Sequence, residues 1–210
     1  MKTFRDLYIY LNGMNVDIFI QKLGDQTNPI WSRNKDKEEI MDGKEQFLCF
    51  EAIQNDRVQP VALFLFPDND NTVWKVSNII PTQKNELTHD EYNAALMDFH
   101  EQIIQPAIQN TSITIELTSD IVTITSVAGI DVENALKRFS KLANKSTGAS
   151  HPADQKRWFE FLTLAYHASN KLDVDLVITT LEELGWSGER AIELGLQFEF
   201  AQSLLSYVQE

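Results

Sequence analysis

Residues 45–80, EQFLCFEAIQNDRVQPVALFLFPDNDNTVWKVSNII, decide the fold of the N-terminal half of this chain. They contain three apolar segments, which are EQFLCFEAI (45–53), PVALFLF (60–66) and TVWKVSNII (72–80). The intervening QNDRVQ and PDNDN consist mostly of residues that favour turns. Because short connections of this kind join antiparallel strands, the stretch predicts a three-stranded antiparallel meander.

Upstream of the meander, the sequence predicts one more strand and one helix. LYIYL (7–11) has the composition of a strand. Asn15 is positioned to cap a short helix with apolar residues on one face, and Gly24 is positioned to end it. Residues 25–44 are polar and broken by proline and glycine, so they predict a loop with at most one turn of helix.

Downstream of the meander, Thr88 and Glu91 have the spacing of a capping box, which predicts a helix start. Pro106 bends or ends that helix. SITIELT (112–118) and IVTITSV (121–127) then supply one or two further β segments.

From Asp131 onward the pattern is helical throughout. Helices are predicted to begin at Asp131, near Pro152, near Val174 and after a cap at Ser187. The last helix carries an apolar seam that must pack against something. Its members are Ala191, Leu194, Phe198, Ala201, Leu205 and Val208.

The predicted fold class is therefore α+β. Residues 1–130 are expected to form an antiparallel or mixed sheet with two or three flanking helices, followed by an all-helical bundle over residues 131–210. The chain has 210 residues and 43% hydrophobic composition, enough for a sizeable core. Its apolar runs are too short for a membrane span and its N-terminus does not resemble a signal peptide, so we expect a cytoplasmic protein. Cys49 is its single cysteine and is expected to be a buried, inert thiol.

The charge is distributed in blocks. The net charge is −13, which disfavours direct binding to nucleic acid because phosphate contacts need surplus Lys and Arg. Residues 85–136 carry a charge of −9, residues 137–157 a charge of +5 and residues 158–210 a charge of −7. The middle block is a basic segment between two acidic ones.

The basic segment contains NKSTGASHPADQKRW (144–158), the strongest candidate site in the sequence. One interpretation is structural: Ser150 or His151 caps the helix that starts at Pro152. A second is an anion site for phosphate or carboxylate. Its candidate residues are Lys145, Ser146, Thr147, Ser150, His151 and Arg157. The third is that the basic residues of 137–157 pair with acids of the flanking blocks.

The sequence assigns no catalytic residue, no metal ligand and no cofactor. Ser150, His151 and Asp154 are too close on one turn for a triad, whose members converge from separate elements. No two histidines have the spacing of a metal site on one helix. Asp68 to Asn71 resembles the opening of a calcium loop but lacks the glycine and the distal glutamate of such a loop.

RFSKLANKSTGASHPADQKRWFEFL (138–162) and LEELGWSGERAIELGLQFEFAQSLLSY (181–207) resemble the C-terminal part of a family of bacterial hypothetical proteins with no assigned activity. The resemblance lies within residues 138–207, about a third of the chain, and implies a bacterial cytoplasmic protein. It transfers no functional residue.

These observations favour a non-enzymatic, acidic protein-interaction module of the immunity, antitoxin or regulatory kind. Its expected partner is another protein, which the acidic charge suggests is basic. A homo-oligomer is the other arrangement that the sequence allows. The alternative is an enzyme or ligand-binding protein that acts on a phosphorylated or carboxylated small molecule at residues 137–157.

Overall fold

The three segments of residues 45–80 are the centre of an antiparallel sheet in the computed structural model, which describes residues 1–40, 47–53, 55–83 and 86–209. Within those residues the sheet has six strands in the order β2-β3-β4-β5-β1-β6. The strands are β1 (Leu7–Tyr10), β2 (Trp31–Arg33), β3 (Leu48–Ala52), β4 (Val61–Pro67), β5 (Val73–Pro81) and β6 (Thr114–Leu117). All neighbouring strands are antiparallel. The meander β3-β4-β5 and the α+β class are therefore confirmed.

The described residues up to 120 also form helical segments. They are α1 (Val16–Gly24), α2 (Lys35–Ile40), α3 (His89–Phe99), a π-helical segment (His100–Ile104) and α4 (Gln105–Ile108). The apolar side chains of α1, α3, the π-helical segment and α4 pack on one face of the sheet and share one core with β1 to β5. The fully buried aromatic residues of this core are Phe19, Trp31, Phe50, Trp74 and Phe99. Asn15 and Thr88 cap α1 and α3 as predicted.

The opposite sheet face carries a small cluster of Phe47, Cys49 and Ala62. Cys49 is fully buried, as predicted. Burial raises the pKa of its thiol to about 11, which suppresses the reactive thiolate.

The remaining helices form a second unit around their own core. They are α5 (Ile124–Ala128), α6 (Ile130–Leu142), α7 (Pro152–Tyr166), α8 (Val174–Glu183) and α9 (Gly188–Gln209). By its contacts the chain divides into a sheet unit, residues 2–120, and a helical unit, Met1 with residues 121–210. The sequence places this boundary at 130/131, but α5 contacts α6 and α8 and so belongs to the helical unit.

Three local predictions differ from the structure. Residues 112–118 and 121–127 predict one or two β segments, and the candidate second one is absent from the described structure because Thr123 and Ser126 form a capping box that starts α5. Asp131 was the predicted cap of α6, but Gly129 occupies the cap position with a φ of 92°, and Asp131 lies in the first turn. Residues 25–44 contain the edge strand β2, which no alternation in the sequence indicates.

His100 begins the π-helical segment, and its Nδ1 atom is buried without a hydrogen-bond partner in the described residues. Burial lowers the pKa of His100, the Arg5 charge lowers it further, and Glu101 opposes the shift. The folded chain therefore binds this proton less readily than the unfolded chain.

We expect the sheet unit to lose stability as the pH falls below about 6.5, the ordinary pKa of histidine. Because the folded-state pKa is lowered, the stabilising contribution of neutral His100 is complete above that pH and is lost as the pH falls through the folded-state pKa. Urea unfolding at a series of pH values measures this. His100→Gln should weaken the pH dependence, because it removes the group whose pKa burial lowers. An identical pH profile in wild type and His100→Gln would contradict the prediction.

Candidate functional site

The candidate stretch 144–158 folds as a tight turn followed by the start of α7. Asn144 organises the turn, since its side-chain oxygen accepts hydrogen bonds from the amide and hydroxyl of Ser146. The Asn144 carbonyl accepts the amides of Thr147 and Gly148 at 3.1 and 2.9 Å. Gly148 has a φ of 62°, a conformation that favours glycine. Ser146, Thr147 and Gly148 thus have a structural role in this turn.

The start of α7 uses His151 as its cap. The Nδ1 atom of His151 accepts a hydrogen bond from the amide of Ala153 at 3.3 Å, and Pro152 occupies the first turn. Ser150 is not the cap, because its hydroxyl donates to the carbonyl of Thr147. Of the two caps that the sequence allows, the structure uses His151.

Most of the cations in residues 137–157 contact groups of the helical unit. Three of the six pair with carboxylates and a fourth, Lys145, donates to the Leu184 carbonyl near the end of α8. The ion pairs are Lys137 with Glu133, Arg138 with Glu160, and Arg157 with Asp154. Asp154 is buried, so its pair with Arg157 compensates a carboxylate that water does not solvate. Lys141 and Lys156 have no ion pair within the described residues.

Only part of the predicted anion site meets at one cavity. Thr147 and Ser150 line a cavity of about 300 Å³ together with Trp158 and Arg190. Lys145, Ser146, His151 and Arg157 are outside its lining. Sequence reasoning missed Arg190, because α9 brings it to the turn from far along the chain, where it donates to the carbonyl of Ser146 and pairs with Glu193.

A second feature of this unit is an exposed apolar surface on α7 and α9. One side of α9 is in the core, where Ala191, Leu194 and Phe198 are buried. The opposite side is also apolar but exposed. We define the α7–α9 face by its exposed apolar residues, which are Phe159, Ile192, Leu196, Phe200, Leu204, Tyr207 and Val208.

A groove of about 690 Å³ between α7 and α9 forms one side of this face. Its lining is mainly apolar and includes Leu162, Leu196, Phe200 and Leu204. Among the described lining residues Glu193 alone is charged, and it is paired with Arg190. The groove is therefore suited to apolar side chains rather than to a charged ligand.

Only the N-terminal part of the predicted seam of α9 is buried. Ala201 and Leu205 are half-buried, and Val208 is 72% exposed. Sequence reasoning missed the second apolar side, although its signal is present as apolar residues every fourth position from Ile192. A helix that is apolar on both sides requires burial on both sides, and here one side has no cover within the described chain.

Two other classes of site find no support in the described residues. They contain no group of three or more His, Cys, Asp or Glu side chains arranged to hold a metal ion. No helix in the described part of the chain combines the length and apolar composition that crossing a membrane requires.

Comparison with known proteins does not assign a function. The chain matches no protein-family model, no curated protein and no solved structure. The resemblance of residues 138–162 and 181–207 to bacterial hypothetical proteins stays a prediction, and the function is inferred from the geometry above.

Proposed function

We propose that this chain is a non-enzymatic protein-interaction module of the immunity, antitoxin or regulatory kind, which binds another protein chain through the α7–α9 face. The observation that carries the proposal is the exposed apolar side of α9. Phe200 is 68% exposed and Leu196 is 61% exposed, although both lie in a well-formed helix. Contiguous exposed apolar surface of this kind marks interaction sites in folded proteins.

The size of the surface supports the proposal. Phe159, Phe200 and Tyr207 are 54%, 68% and 76% exposed, so at roughly 150–250 Å² per ring these three side chains alone expose on the order of 400 Å². The largest apolar patch of a typical monomer is about 300–600 Å². Leu196 and Leu204, which are 61% and 49% exposed, bring the α7–α9 face to the upper end of that range.

The contacts of residues 144–158 also support a role without catalysis. The Ser150 hydroxyl donates to the Thr147 carbonyl within the turn, and the His151 ring caps α7. Arg157 is held by the buried Asp154. These contacts do not pair a nucleophile with a base, as nucleophilic catalysis requires.

Electrostatics add a second component to the proposal. The net charge of −13 belongs to the chain as a whole, so it attracts a basic partner from a distance to the acidic surface rather than to the α7–α9 face itself. A bacterial cytoplasmic location is part of the same proposal and is supported by the sequence resemblance.

Photo-crosslinking in cells of the source organism tests the proposed surface. A benzophenone amino acid in place of Phe200 should give a discrete crosslinked species, and a Leu196→Glu change in the same chain should abolish it. Ile130 on α6 is the matched control, since it is 55% exposed and apolar but lies outside the α7–α9 face. Equal crosslinking from positions 200 and 130 would contradict the proposal.

A small anion at the 300 Å³ cavity is the second candidate function. The observation that favours it is Trp158, which lines this cavity and whose buried Nε1 has no hydrogen-bond partner in the described residues. Thermal melts with and without phosphate at fixed ionic strength separate the two functions. Our proposal predicts equal melting temperatures. A phosphate-dependent rise in wild type that is lost in Arg190→Gln would favour the anion site.

A further inference from the structure

We infer that the occupant of the α7–α9 face is a second copy of this chain, so that the protein is a homodimer joined through α9. The inference rests on the proposed function, because it names the partner of the same face. Its starting point is the regular spacing of five exposed residues. These are Ile192, Leu196, Phe200, Leu204 and Val208, each four positions from the next.

Residues four apart form a continuous ridge on a helix surface. The commonest packing of helices in globular proteins inserts such a ridge into the groove beside an equivalent ridge. Each copy offers both parts, since the groove lined by Leu162 and Leu204 runs beside the ridge. The surface is therefore complementary to itself, which a two-fold dimer requires.

The ridge also determines the register of such a dimer. Phe200 is its middle residue, so an antiparallel two-fold arrangement places Phe200 opposite Phe200 of the second copy. Equal spacing on either side then places Leu196 opposite Leu204. Glu193 falls opposite Tyr207, where the phenol O–H can donate a hydrogen bond to the carboxylate.

The area of the face agrees with what a stable dimer needs. A standard interface buries about 800 Å² on each partner. The three aromatic rings of the face supply on the order of half of this area. Ile192, Leu196, Leu204 and Val208, which are between 49% and 72% exposed, supply most of the rest.

Charge distinguishes a second copy from a basic partner at this face. Between residues 191 and 209 the charged residues are Glu193 and Glu199, and Glu193 already pairs with Arg190. This stretch therefore offers little to attract Lys or Arg, and two copies meet there without close like charges. The repulsion between two chains of −13 is long-range and is screened by salt. Salt should strengthen the dimer, whereas it weakens the binding of a basic partner.

Sedimentation equilibrium of the purified full chain tests the inference. We expect a mass of twice 24.0 kDa, with tighter association at about 0.5 M than at about 0.05 M salt. Phe200→Glu and Phe200→Lys should each weaken dimerisation at least tenfold. Circular dichroism should show that both variants stay folded, because Phe200 lies outside the core. Ile53→Glu in the sheet unit is the matched control, since Ile53 is 62% exposed, and it should dimerise like wild type.

Mixing the two Phe200 variants tests the two-fold register. If residue 200 meets its own counterpart, the Glu and Lys variants should form a mixed dimer that is tighter than the dimer of either variant alone. A mixture that stays monomeric would contradict this arrangement. If Ile53→Glu also abolished dimerisation, the result would contradict the assignment of the dimer interface to α9.

Failure of this inference is distinguishable from failure of the proposed function. A monomeric wild type that still crosslinks from position 200 to a different protein would overturn the second-copy assignment and leave the interaction surface intact. A monomeric wild type without any crosslink from position 200 would overturn both.

Discussion

Replacing Trp158 with alanine is expected to lower the free energy of unfolding of the helical unit by about 3–5 kcal/mol. The Trp158 side chain is 1% exposed and its ring lies 4.9 Å from that of Phe139 and 5.1 Å from that of Phe161. Removing it leaves a cavity between α6 and α7 as well as losing the buried apolar area. Because domains are stable by only about 5–15 kcal/mol, the loss is a large fraction of the total.

Urea unfolding followed by circular dichroism measures this change, and hydrogen exchange in α6 and α7 assigns it to the helical unit. Trp158→Phe is the matched control and should lower the free energy of unfolding much less. It keeps an aromatic ring in the core, and the indole Nε1 that it removes has no hydrogen-bond partner in the described residues. Ser150→Ala should cost no more than about 1 kcal/mol, since its hydroxyl makes one exposed hydrogen bond. An unchanged midpoint for Trp158→Ala would show that this core is not as described.

Trp31→Ala is expected to destabilise the sheet unit by a similar amount, about 3–5 kcal/mol. Trp31 is on the edge strand β2 but is fully buried, and its ring contacts that of Phe99 at 5.0 Å. Its Nε1 donates a hydrogen bond of 2.8 Å to the carboxylate of Asp98, which is 5% exposed. The substitution therefore removes both a core side chain and the donor of a buried carboxylate.

A double-mutant cycle separates these two effects. Trp31→Phe keeps most of the ring but removes the donor, which should cost about 1–3 kcal/mol because Asp98 is left buried without it. Asp98→Ala should cost a similar amount, since it leaves the indole N–H unsatisfied. The double variant Trp31→Phe/Asp98→Ala should cost less than the two single changes together, as measured by urea unfolding. Strict additivity would show that the hydrogen bond does not couple the two residues.

Much of the fold could be predicted because its signals act over short distances. Asn15 and Thr88 start helices by accepting amides within their own first turn, so neighbouring residues suffice to recognise them. The meander of residues 45–80 could be predicted because its turns join strands that pair with their sequence neighbours.

The predictions that were wrong concern elements that depend on residues far away in the sequence. Strand β2 has three residues and exists because β3 pairs with it, a partner outside its own sequence window. Residues 121–127 are rich in β-branched residues and are the candidate for a second β segment after 112–118, yet the capping box at Thr123 and the contacts of α5 with α6 and α8 make a helix there. Local preference is weak and tertiary contacts override it.

The candidate site likewise has one part that the local sequence predicts and another that depends on tertiary packing. Residues 144–158 could be predicted as a turn and helix start, because Gly148 and Pro152 favour those conformations locally. Which groups share a cavity could not be predicted, because Arg190 reaches the turn only through the packing of α9.

By itself the sequence determined the α+β class, most helix starts, the central meander and the blocks of charge, since each depends on composition or on residues a few positions apart. The tertiary structure alone decided which side of α9 is covered. The spacing of Leu194 and Phe198 and that of Leu196 and Phe200 are equally helical, so periodicity cannot rank the two sides. Burial of the first pair and exposure of the second follow from where α6, α7 and α8 pack, which depends on contacts between residues far apart in the chain.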